Sequence, residues 1–120
     1  MSMFLFLKVH AQKERTEKDE SKLRTKSGLA TYYHKRFEGR KTTSGQKYRG
    51  DKLTAAHRTL PFGTIVTVTN LSNGKTINVE VNDRGPYTKR YIIDVSESAA
   101  KYLGIYGKGH SKVEISYDPS

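Results

Sequence analysis

The 120-residue chain contains no cysteine. That excludes a disulfide scaffold, a thiolate metal site, a cysteine nucleophile and a lipid attached through cysteine. It leaves the compartment open. No apolar run reaches the roughly 18 residues that a membrane-spanning helix requires, so no such span is expected. Hydrophobic residues are scarce, at 34%, yet 8 Tyr and 4 Phe supply enough large side chains for one small core. By length the chain is a single domain.

Acidic residues are also few. Against 22 Lys and Arg stand 12 Asp and Glu, a net charge of +10. This balance favours a polyanionic partner such as nucleic acid or a bacterial wall with its peptide carboxylates, and it also serves solubility alone. Composition does not separate the three. A nucleic-acid binder calls for a basic helix or an aromatic RNP-like strand, and neither is present, so no nucleic acid is expected.

The chain divides near residue 27. Residues 1–7 are mostly apolar, and Val9-His10-Ala11 has the small-residue spacing of a signal-peptidase site. Residues 1–11 therefore read as the remnant of a secretory signal, although the apolar stretch is short and has no basic segment before it. Residues 12–27 carry six Lys or Arg and four Asp or Glu, with Leu23 as the single large apolar residue. Such a stretch cannot bury enough surface to offset its ordering entropy, and it reads as a charged flexible linker. Residues 28–120 form the domain. Fifteen basic and eight acidic side chains leave it about +7 on its own.

The domain reads as strands. Ile65–Leu71 is rich in Val and Thr, and Ile77, Val79 and Val81 alternate with Asn78, Glu80 and Asn82. Asn73-Gly74 between them favours a two-residue type I′ hairpin, which pairs Val68 with Val79 and Val66 with Val81. Further strands are expected at Leu29–Tyr33, Leu53–Ala56, Tyr91–Val95 and Lys112–Tyr117. One helix fits Glu97–Leu103. Ser96 caps it, Ala99, Ala100 and Leu103 share its apolar face, and Gly104 ends it. Several short strands and one helix predict a compact β-barrel.

Two polar residues interrupt apolar faces. Asp83 follows Ile77, Val79 and Val81 in the inward series, just before Arg84-Gly85-Pro86. An inward carboxylate at a barrel mouth is partly desolvated, which raises its pKa toward that of a general acid, while a neighbouring Arg84 opposes the rise. An Asp before a turn also serves simply to brace it. His57 continues the face of Leu53 and Ala55 in the same way, and neutral imidazole can hold a carboxylic acid by hydrogen bond. The four histidines, His10, His34, His57 and His110, lack ligand spacing, so no metal is expected, and no cofactor motif occurs.

At these residues a family resemblance emerges. The run from Thr54 to Gly63 (TAAHRTLPFG), then VTNLSNGK (Val68–Lys75), VNDRGPY (Val81–Tyr87) and IIDVSESAAKYLG (Ile92–Gly104), resembles the rare lipoprotein A-like (RlpA) family. Gly28–Tyr48 resembles that family's opening segment. The resemblance implies a mainly β fold, a six-stranded double-psi β-barrel with one or two short helices and an open groove across one end. It implies a periplasmic or extracellular bacterial envelope protein and a lytic transglycosylase that cuts peptidoglycan between MurNAc and GlcNAc without water, leaving a 1,6-anhydro end. It further implies glycan strands as substrate, some of them stripped of stem peptides, and cell-division or wall-remodelling proteins as partners.

Carried over to this chain, the family's acid falls on Asp83 and its companion histidine on His57. Asn82, Arg84, Tyr32 and Tyr33 are candidates for lining the groove. Where many members have a Glu in an SGE segment, this chain has Gln46 within Ser44-Gly45-Gln46. Gln keeps the shape and can bond sugar hydroxyls, but it cannot titrate. Gln46 therefore leaves open a second class, a non-catalytic wall-binding module like the expansin-related barrels. The absence of the lipoprotein members' cysteine implies a protein without a lipid anchor.

Overall fold

A computed structural model describes residues 22–119; the expected signal remnant and most of the expected linker lie outside them. Six strands close into a barrel: β1 (Arg24–Tyr32), β2 (Thr54–Ala56), β3 (Ile65–Asn70), β4 (Thr76–Asp83), β5 (Tyr91–Val95) and β6 (Ser111–Tyr117). Their spatial order is β1-β5-β2-β4-β3-β6. The β1–β5 and β2–β4 pairs are parallel and the rest antiparallel. A single α-helix, α1 (Glu97–Leu103), follows β5, and a 3-10 turn spans Lys35–Phe37. Among the described residues no helix is long and apolar enough to cross a membrane.

Alternation decides which side chains enter the barrel. Val66 and Val68 from β3, Val79 and Val81 from β4, Ile93 and Val95 from β5, and Val113 and Ile115 from β6 are fully or almost fully buried in one cluster. Helix α1 closes it with Ala99, Ala100 and Leu103. Its ends are as the sequence predicts. The Ser96 hydroxyl accepts from the Ala99 N–H, and Gly104, at φ 78°, turns the chain in the left-handed region that a side chain would strain.

The main departures from the expected boundaries and pairing are four. β1 begins at Arg24, inside the stretch read as linker, because residues 24–27 pair with Glu114–Tyr117 of β6; backbone bonding to a distant strand outweighs their polarity. β2 begins at Thr54, and Leu53, expected on the core face, is 43% exposed. β3 ends at Asn70, which leaves Leu71 exposed.

The fourth change is the hairpin register. Val66 pairs with Val79 and Val68 with Ile77, two residues from the expected pairing. A type I′ turn needs positive φ at both central residues, and here only Gly74 has it. The chain instead makes a four-residue loop closed by Asn70 N–H to the Lys75 carbonyl. The amides of Asn70 and Asn73 both donate to the Leu103 carbonyl at the end of α1, at 2.8 and 3.0 Å. This tertiary contact sets the loop. An even slip keeps the apolar faces matched.

Candidate active site

The barrel carries a second, smaller cluster on its outer face: Tyr33, Tyr48 and Ala56, all buried, with Phe37 against them. Tyr33 and Tyr48 stack with centroids 4.3 Å apart, and Phe37 meets Tyr33 edge-on. The Tyr48 hydroxyl accepts from the Glu97 N–H at 3.0 Å, which ties this layer to the start of α1.

Asp83 belongs to this outer face. The β2–β4 register shifts so that Ala55 pairs with Val81 but Ala56 with Asp83. The extra residue is Asn82, a β-bulge that turns Asp83 away from the inward series of Val79 and Val81. The expectation of an inward Asp83 is thus corrected by one irregular residue. Bulges at strand ends re-aim side chains in this way, and strict alternation cannot foresee them.

Three donors hold the Asp83 carboxylate. The Tyr33 hydroxyl reaches Oδ2 at 2.5 Å, and the backbone N–H groups of Thr43 and Arg84 reach Oδ1 at 2.8 and 2.9 Å. Burial pushes the pKa up, but these bonds outweigh it and hold the carboxyl below its ordinary value. The expected rise is therefore reversed in the free protein. Tyr33 is shifted upward, first by burial and then by its bond to Asp83, so it stays a phenol.

Asp94, which the sequence reading did not single out, lies on the same face. Thr31 pairs with Asp94, Asp94 with Ala56, and Ala56 with Asp83, forming one row across β1, β5, β2 and β4. Thr31 donates to Asp94 at 2.5 Å. Burial first, and the Asp83 charge as well, push the Asp94 pKa up. The row therefore holds two carboxyls with opposite shifts on either side of a methyl group. The available signal was a lone Asp between Ile93 and Val95. Nothing in sequence pointed to Tyr48 or Thr43.

His57 is joined to Asp83 through the backbone, its N–H donating to the Asp83 carbonyl at 3.1 Å. Its ring leaves β2 on the side of Ala55, opposite Ala56. Nδ1 accepts from the N–H groups of Thr59 and Leu60, both at 3.2 Å. Burial first, then Arg58, Arg84 and Lys26, lower its pKa to about 4. The imidazole is neutral and fixes the loop after β2.

The remaining candidates separate. Asn82, almost fully buried and next to Asp83 in the chain, donates from Nδ2 to Gln46 Oε1 at 3.1 Å, so the structure brings these two candidates together. Arg84 Nη1 donates to the carbonyls of His57 and Leu60, with the guanidinium over Phe62, and so braces the loop after β2. Tyr32 lies away from the carboxylate; its hydroxyl accepts from the Gly107 N–H and its ring packs on Tyr106. Adjacent residues on a strand face opposite sides, so the Tyr32-Tyr33 pair supplies one site residue. Among the described residues no three His, Asp or Glu side chains gather as a metal site.

Comparison with known proteins agrees with this fold. The family described as lytic transglycolase, a double-psi β-barrel, matches residues 25–115. The protein named endolytic peptidoglycan transglycosylase RlpA from Haemophilus influenzae is 46% identical over 97 residues, covering 81% of this chain and 34% of that protein. Its namesake from Pasteurella multocida is 50% identical over 92 residues, covering 75% and 31%. The chain thus spans about a third of the length of these relatives. Among solved structures, a Streptomyces papain inhibitor aligns with a TM-score of 0.64 at 25% identity, covering 78% of this chain and 94% of that one. A Clavibacter michiganensis expansin aligns with a TM-score of 0.64 at 24% identity, covering 81% and 52%, a likeness of fold alone.

Proposed function

This chain belongs to the lytic transglycolase family of double-psi barrels, and on that premise we propose that it cleaves the MurNAc–GlcNAc bonds of peptidoglycan non-hydrolytically in the bacterial cell envelope, on the periplasmic or extracellular side. The observation that carries this reading is Asp83, a carboxyl at a strand end on the outer face, held by three donors beside the paired Asn82 and Gln46. The names of the relatives supply the substrate class.

In the free protein Asp83 is a carboxylate at neutral pH. A glycan laid over the face strips water from it, strengthens the desolvation already present and draws a proton onto it. Asp83 then donates that proton to the glycosidic oxygen as the bond to C1 of MurNAc breaks. An oxocarbenium-like centre forms at C1. The Asp83 carboxylate takes the proton of the C6 hydroxyl, and O6 closes on C1 to give the 1,6-anhydro ring. One carboxyl acts as acid and then as base. Tyr33 stays protonated and aims it, and the His57 N–H anchors its backbone, which makes both positioning residues. Asp94, part-buried on the same face, is shifted upward by burial.

A second reading rests on Gln46, which cannot carry the charge of the family's Glu: a glycan-binding barrel without turnover. Mass spectrometry of products from purified peptidoglycan and amidase-stripped strands separates the two. The expected result is anhydro-ended fragments that fall about 10³-fold or more in Asp83→Asn, the scale of losing a general acid. No fragments from the unaltered protein, with glycan binding intact, would overturn the enzyme reading.

A further inference from the structure

Between the 3-10 turn and β2 the chain doubles back on itself and lies against the end of β4. The Gly39 N–H donates to the Tyr48 carbonyl at 2.9 Å, the Tyr48 N–H to the Arg40 carbonyl at 2.7 Å, and Lys41 bridges Lys47 in antiparallel fashion. The tip, residues 42–46, is bonded to itself. The N–H and the hydroxyl of Thr42 both donate to the Gln46 carbonyl, at 2.7 and 2.6 Å, and the Gly45 N–H donates to the Thr42 carbonyl at 2.9 Å. Buried Tyr48, with its hydroxyl on the start of α1, fixes the base. The segment is a small strap whose shape is set by its own bonds.

The strap grips β4 at two successive residues. Ala55 and Ala56 pair with Val81 and Asp83, which leaves Asn82 between them without a partner in β2. A bulged residue must satisfy its polar groups elsewhere. Here the Ser44 N–H donates to the Asn82 carbonyl at 3.3 Å, and Asn82 Nδ2 donates to Gln46 Oε1 at 3.1 Å. One residue further on, the Thr43 N–H donates to Asp83 Oδ1 at 2.8 Å. Because residues 42–46 form one self-bonded unit, these contacts are coupled. Loosening Gln46 from Asn82 also loosens the Thr43 N–H from the carboxylate. The contact that Gln46 makes needs an acceptor for a neutral amide, and an uncharged carbonyl oxygen supplies it.

We infer that Gln46 is a positioning residue: by accepting from Asn82 it fastens the strap over the bulge and so sets the direction of the Asp83 carboxylate. The inference rests on Asp83 as the reacting carboxyl. It gives Gln46 a task that geometry performs and charge does not, so a Gln in place of the family's Glu keeps the reacting arrangement intact.

The experiment pairs carboxyl NMR titration of Asp83 in the free full-length protein with the kinetics of anhydro-product formation. Gln46→Met keeps the length of the side chain and leaves only a weak acceptor. Thr42→Val loosens the strap from within. Thr42 is 7% exposed, so a glycan does not reach it, and its hydroxyl bonds Gln46 and Ser44 of the strap itself. The Thr43 bond favours the carboxylate, so both variants should move the Asp83 titration upward. In Gln46→Met kcat should fall about tenfold with KM little changed, and in Thr42→Val the fall should be smaller. Gln46→Glu, which has an acceptor at the same place, should recover both readouts relative to Gln46→Met. The groups that titrate against Asp83, Tyr33 and Asp94, lie off the strap, the Arg84 guanidinium is turned to the His57 and Leu60 carbonyls, and Lys41 and Lys47 stay in every variant. The two loosened variants act at different points, so if one fails to fold the other decides.

An Asp83 titration that stays in place in the loosened variants would overturn the inference. So would a change in KM alone, the mark of a residue that only holds sugar. A Gln46→Glu protein about a hundredfold faster, with Asp83 unmoved, would also overturn it, as the mark of a missing charge. The titration needs no substrate. A shifted Asp83 without anhydro products from the unaltered protein would remove the enzyme and leave the strap, and products with an unmoved Asp83 would do the reverse.

Discussion

The two buried clusters of this barrel are built on opposite terms. The inner one is aliphatic, drawn from the inward faces of the strands, with its largest members fully buried. The outer one is small and aromatic, drawn from one strand, β2, and the segments that follow β1, and it carries carboxyls and hydroxyls that need partners. Inside, stability comes from removing apolar surface from water. Outside, it comes from satisfying each polar group at a chosen place, which costs the fold regularity: a bulge at Asn82, a shifted register and a covering loop. The same strands therefore hold the fold with one face and present chemistry with the other. Damage to one face should be separable from damage to the other.

The sharpest test of that separation is Ile93→Ala, deep in the inner cluster. It should cost about 2–5 kcal/mol of unfolding free energy, read by denaturant titration. The anhydro product formed per folded molecule should stay within about twofold, since Ile93 lies on the opposite face of β5 from Asp94. A parallel collapse of turnover at full folding would break the comparison.

Tyr33→Phe addresses the outer face. Losing the bond to Asp83 should cost about 1–2 kcal/mol of stability. The Tyr33 hydroxyl favours the carboxylate, so its removal raises the Asp83 pKa. Chemistry that needs protonated Asp83 should then extend to higher pH, which pH–rate profiles or a carboxyl NMR titration will show. An unmoved profile would separate Tyr33 from the proton transfer.

His57 bears on the junction between the faces. Its pKa is lowered from 6.5 to about 4 in the folded chain. Between those values the unfolded chain binds the proton and the folded one does not, so stability is complete above pH 6.5 and falls toward pH 4. The loss should be on the order of 1 kcal/mol after allowing for solvent screening of a half-exposed ring. Thermal melts across this window should show it, and His57→Gln should flatten the slope there. The contribution of Asp83, whose pKa is also lowered, fades only at more acid pH, below the ordinary carboxylate value.

Much of this was legible in the sequence. The alternation in Ile65–Asn70, Thr76–Asp83 and Tyr91–Val95 marks the inner core, and Ser96 and Gly104 mark both ends of α1. Asp83 and His57 stand out because each interrupts an apolar series. The direction of Asp83 was not legible, because it depends on Asn82 bulging out of register with Ala55 and Ala56. Nor was its pKa, because two of its donors, Tyr33 and Thr43, lie 50 and 40 residues away. The hairpin register turned on a carbonyl of α1 that the local Asn-Gly signal does not contain.

What the sequence determined by itself is whatever follows from local periodicity: which residues face a core, where a helix is capped, and which polar side chains sit out of pattern. Only the tertiary structure decided which face Asp83 joins and that Asp94 and Thr31 share its row. The physical reason is range. Burial patterns repeat every two residues within a strand, whereas the partners that orient and tune a carboxyl come from wherever the barrel closes around it.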